Sequence, residues 1–97
     1  MINKSYAVLG LGRYGSAVAR ELADSGIDVL AVDVDEAVVN AAASELPICK
    51  CADITDPEAI EKLGIGEVDV VVVAMASNIE ASVMAITVIL ITHSLYL

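Results

Sequence analysis

The chain has 97 residues, 58% of them hydrophobic and 20% charged, and its 14 acidic against 5 basic side chains give a formal net charge of −9. That length holds one domain with a real core, and the apolar share excludes disorder and calls for strands covered on both faces or against a partner. The negative field repels phosphate backbones and anionic headgroups, which argues against nucleic acid as a partner. Residues 1–4 lead straight into an apolar run without a basic n-region or a small-residue cleavage pattern, so a cytoplasmic location is expected.

Residues 5–9 form a short apolar run stopped by Gly10 and read as a doubly covered strand. From Arg13 to Asp24, Ala17, Val18, Leu22 and Ala23 recur at near-helical spacing, and Gly26 is a helix stop. A second β-branched run follows at residues 28–33, close enough to make the two strands parallel neighbours with the helix crossing over. Residues 36–45 are alanine-rich, with Ala37, Val38, Ala41 and Ala42 on one side, and predict a helix ended by Pro47. Residues 48–53 make a third strand. Thr55 or Asp56 can cap a helix with Pro57 at its first position, Ile60 and Leu63 facing the core, and Gly64 and Gly66 at its end. The valine-rich fourth strand, residues 68–74, is expected to be the most buried.

Cys49 and Cys51 point the same way from a strand. A Cys-x-Cys loop strains a disulfide and no further Cys or nearby His completes a zinc set, so both read as small buried hydrophobes and no metal site is expected. Residues 81–97 contain no Asp, Glu, Lys or Arg, but Ser82, Thr87, Thr92, His93 and Ser94 dilute a stretch already short of the roughly 20 apolar residues a membrane span needs. A helix from about Asn78 that buries its whole surface is expected there, rather than direct membrane insertion. The pattern as a whole predicts an α/β, Rossmann-like doubly wound parallel sheet with strand order 3-2-1-4.

Gly10, Gly12 and Gly15 carry the spacing G-x-G-x-x-G, which is weak by itself. Here it follows a strand, opens a helix and lies in a βαβ unit, and Asp33 ends the second strand 18 residues after Gly15, which is the setting a dinucleotide fingerprint requires. Gly10 would allow the sharp turn, Gly12 the approach of a pyrophosphate, and Gly15 close helix packing. Asp33 would accept from ribose hydroxyls, and with Asp35 it would repel a 2′-phosphate. Arg13 is either a phosphate contact or a solvated first-turn residue. Asp53 is either part of the ligand edge or a loop cap, and Asn78 fits an N-cap better than a contact. Glu80 lies at the same edge. His93 is the one histidine, and Lys4, Lys50 and Lys62 are scattered, so no general base can be nominated against a nicotinamide and no enzymatic activity is expected.

Taken together, "GLGRYG", "AVDVDE", "ADITD" and "VVVAMASNIEASV" resemble the N-terminal nucleotide-binding half of an RCK domain (regulator of K⁺ conductance) of the TrkA/KtrA type, over about residues 4–86. The resemblance implies a cytosolic regulatory subunit that binds NAD(H) or ATP/ADP and gates a membrane K⁺ channel or transporter, docked at the inner face of the membrane. It implies phosphates over Gly10, Gly12 and Gly15 with Arg13 and Tyr14 beside them, Asp33 on the ribose, Asp53 near the adenine, and Met75, Asn78 and Glu80 on the far side. Residues 1–86 would be the nucleotide-binding domain and residues 87–97 an atypical apolar tail, C-terminally truncated relative to the family. An unpaired fourth strand and an uncharged last helix predict a homodimer or higher oligomer through residues 81–91, unless the tail folds back as a fifth strand. The alternatives are a cofactor-binding fragment of an NAD-dependent dehydrogenase and a Rossmann module that has lost its ligand.

Overall fold

Short apolar runs alternating with helix-forming segments settle into a four-stranded parallel sheet in the order β3-β2-β1-β4 in the computed structural model, which describes residues 4–75. In chain order the elements are β1 (Tyr6–Leu9), α1 (Arg13–Asp24), β2 (Val29–Asp33), α2 (Glu36–Ala42), β3 (Cys49–Cys51), α3 (Pro57–Leu63), a single 3₁₀ turn (Ile65–Glu67) and β4 (Val70–Val73). The expected strand order holds. Register is continuous across the centre: Leu9 lies beside Val32 on one side and Val73 on the other.

Alternation along the strands divides the core between the two faces. Ala7, Leu9 and Val32 pack with Ile54, Ile60 and Ile65 on the α3 face. Val8, Val29 and Ala31 pack with Leu11, Ala19 and Leu46 on the face covered by α1 and α2. The chain winds from β1 outward to β3, then crosses back through α3 to place β4 on the other side of β1. The switch in winding direction therefore falls between the carboxyl ends of β1 and β4, where open α/β sheets leave a crevice.

Local chemistry explains the element ends. Asp35 and Asp56 cap α2 and α3 by accepting from the amides of Ala37 and Glu58, at 2.9 and 3.0 Å. Pro57 takes the first position of α3, and Gly64 closes that helix at φ 71°, in the left-handed region. Below the sheet, Asp69 and Ser5 tie β4 to β1 through an amide-to-carboxylate bond of 2.7 Å.

Four expectations need correction. In α1 the inward stripe is Gly15 and Ala19 flanked by Val18 and Leu22, while Ala17 is exposed. In α2 the buried residue is Val39, with Val38 and Ala42 half-buried and Ala37 and Ala41 exposed; the helix ends at Ala42 rather than residue 45. β4 is half-buried rather than the most buried strand, because it has a described strand on one side only whereas β1 and β2 each lie between two. Cys49 is half-buried and Cys51 exposed, as β3 is likewise an edge.

Candidate functional site

Three glycines open α1, and the structure gives them different duties. Gly10 turns at φ +100°, and a Cβ there would meet the Ala74 carbonyl oxygen at 2.6 Å and the Met75 Cγ at 2.8 Å. At Gly15 a Cβ would run into the Gly10 carbonyl oxygen, so the helix packs on the loop itself. Gly12 differs: its backbone is extended at φ −69°, ψ −164°, and a Cβ would meet nothing within 4 Å. The fold has no need of glycine at that position, and the open volume lies over the start of α1.

That helix start is left bare. Among the described residues no side chain caps α1 and its first turn carries no acid, whereas α2 and α3 are capped by aspartates and carry Glu36 and Glu58 in their first turns. First-turn amides that no cap among the described residues satisfies, together with the positive end of the helix dipole, form a surface suited to an anion. Ser16 stiffens the turn by donating its hydroxyl to the Gly12 carbonyl at 2.7 Å.

Above the switch point lies a cleft of about 520 Å³ that brings together Gly10, Gly12, Asp33, Asp35, Asp53 and Met75. Asp33, at the end of β2, accepts from the amide of Leu11 at 2.7 Å through Oδ2 and from that of Asp35 at 2.8 Å through Oδ1. Asp53 accepts from both the hydroxyl and the amide of Thr55, at 2.6 and 3.0 Å, and those bonds hold its exposed carboxyl below the ordinary aspartate value. Burial, and then the neighbouring Asp33 charge, push the Cys49 thiol up. The remaining lining is largely apolar, from Val34, Val38, Ile54 and Ala74. Sequence reasoning passed over these residues. Val34 stands between Asp33 at the end of β2 and the α2 cap Asp35, and the fold leaves it 67% exposed.

Arg13 lies instead in a neighbouring groove of about 360 Å³ between α1 and α2, with Gly12, Ser16 and Arg20. Arg20 there pairs with Glu45 at 3.2 Å. Tyr14 is 74% exposed and lines neither hollow. Asn78 and Glu80, the last helix and the tail lie outside the described residues. Among the described residues no three His, Cys, Asp or Glu side chains gather into a metal-binding group, and no helix is long and apolar enough to cross a membrane.

Comparison with known proteins bears on this geometry. The sequence matches the TrkA-N domain family over residues 6–95. It is 37% identical over 83 residues to Ktr system potassium uptake protein C of Bacillus subtilis (strain 168), a match covering 86% of this chain and 38% of that protein. Identity is 41% over 83 residues to Ktr system potassium uptake protein A of Vibrio alginolyticus, covering 86% of this chain and 38% of the relative. With the protein A of Bacillus subtilis (strain 168) it is 43% over 82 residues, covering 84% and 37%. The chain thus spans under two-fifths of the length of these relatives.

Proposed function

The chain belongs to the TrkA-N family, and from that premise we propose that it is the nucleotide-binding part of a cytosolic regulatory subunit serving a K⁺ uptake system. One observation carries the nucleotide half: Gly12 is free of any packing demand, yet it sits where a side chain would fill the space over the bare start of α1. The transport half rests on the relatives, which are potassium uptake proteins.

The residues present fit an adenine nucleotide, NAD(H) or ATP/ADP. Its phosphates lie over Gly12 and the α1 amides, and the ribose hydroxyls reach the free lone pairs of Asp33. The base takes the apolar wall of Val34, Val38 and Ile54 beside Asp53. Asp33 and Asp35 disfavour a 2′-phosphate, so NADH binds better than NADPH. The role is sensing rather than turnover: occupancy of the cleft alters the shape that the subunit, as a homodimer or higher oligomer at the inner face of the membrane, presents to its transporter. Calorimetry of NADH, NADPH, ATP and ADP against the full chain tests the reading, with saturable binding of at least one non-2′-phosphorylated nucleotide expected. Absence of binding at millimolar concentration contradicts it, and nicotinamide-linked oxidation by the parent protein would favour a dehydrogenase instead.

A further inference from the structure

Between Gly10 and Gly12 stands Leu11, the residue that decides the course of the glycine loop. Its side chain is buried on the α1 face of the core, at 4% exposure. Its amide is held at 2.7 Å by Asp33 Oδ2, across 22 residues of sequence. The flanking residues are two glycines, the most pliable in the chain. The other oxygen of the same carboxylate accepts the Asp35 amide, and Asp35 in turn caps α2. One side chain therefore joins the glycine loop to the start of α2. We infer that Asp33 is the positioning residue of the phosphate cradle, fixing the loop through Leu11 in addition to offering lone pairs to a ribose. This inference rests on the nucleotide reading for its ligand, though the loop contact stands without it.

The two roles predict opposite signs for a probe that has no ribose. Inorganic pyrophosphate is repelled by the Asp33 charge, so if Asp33 only recognises ribose, Asp33→Ala leaves pyrophosphate binding unchanged or improves it. If Asp33 shapes the loop, Asp33→Ala weakens pyrophosphate binding severalfold despite the lost repulsion, because the amides are no longer pre-arranged. The experiment is an NMR titration of the full chain with inorganic pyrophosphate, read at the Gly12 amide, together with amide hydrogen exchange of the ligand-free protein. Asp33→Ala is expected to speed exchange at Leu11 by about tenfold or more, while Ala7 and Val8 in β1 stay protected. Should the alanine variant lose its fold, Asp33→Asn carries the test, since it removes the same charge and replaces one acceptor by a donor; both shifts then keep their direction and are smaller. Unchanged Leu11 exchange, or pyrophosphate bound as well or better, overturns the inference. If the unmodified chain itself shows no pyrophosphate shift, Leu11 exchange alone decides whether Asp33 holds the loop, and the nucleotide reading is decided by its own titration.

Discussion

Gly15 and Gly12 are three residues apart and chemically identical, yet the structure assigns them opposite tolerances. A methyl at residue 15 would be forced into the Gly10 carbonyl, which is backbone and cannot swing aside. Gly15→Ala is accordingly expected to cost about 3 kcal/mol of stability, read from the midpoint of a urea melt. Asp53 gives a second prediction. Its pKa lies below the ordinary aspartate value, so the stability its bonds to Thr55 contribute is present above the unfolded-chain value and is lost as pH falls through the folded one. Thr55→Val removes the hydroxyl donor and keeps the amide, and should move the Asp53 midpoint upward in a carboxyl-carbon NMR titration. An unmoved midpoint would mean the hydroxyl bond contributes little.

At the scale of elements, the order of the first three strands was legible because each crossover is short and parallel strands must be joined by one, so β1, β2 and β3 had to neighbour in turn, whereas β4 returns past them to the far side of β1, as a doubly wound sheet requires. The α3 cap was legible too, since Asp56-Pro57-Glu58 combines three N-terminal preferences in consecutive residues. Helix faces were less so. Counting only side chains placed Ala17 inward, but Gly15 belongs to the stripe because its missing Cβ is what packs, and that turns the helix toward Ala19. In α2, seven residues give under two full turns, too few for periodicity to separate Val39 from the surrounding alanines. The three glycines and Asp33 could be read as a site, but the apolar wall of Val34 and Ile54 could not, because it forms only when the β2 and β3 ends come together. The caps offer a paired test. Asp35→Ala and Asp56→Ala should each cost about 1 kcal/mol in denaturant melts. Only the first lines the cleft, so only Asp35→Ala is expected to narrow the preference for NADH over NADPH.

Across the whole molecule, an acidic chain places three aspartates around its cleft, and the main attraction it offers a phosphate comes from backbone amides at α1. On the proposed reading, binding depends on the loop's shape more than on net charge, which is why one open glycine carries the proposal. The same sheet leaves β4 with a described neighbour on one side only, and an open apolar strand edge recruits further chain. A homodimer or larger assembly is the expected outcome in sedimentation at micromolar concentration, and a clean monomer would mean that edge is covered within one chain. The central claim is that the space over Gly12 holds the phosphates of a nucleotide, and the most direct test is calorimetric titration of NADH and ATP into the unmodified chain and into Gly12→Val, with circular dichroism on both. The account predicts identical folded spectra, since a Cβ at residue 12 meets nothing within 4 Å among the described residues, and saturable heat that disappears in the variant. Undiminished binding by a folded Gly12→Val chain would contradict it.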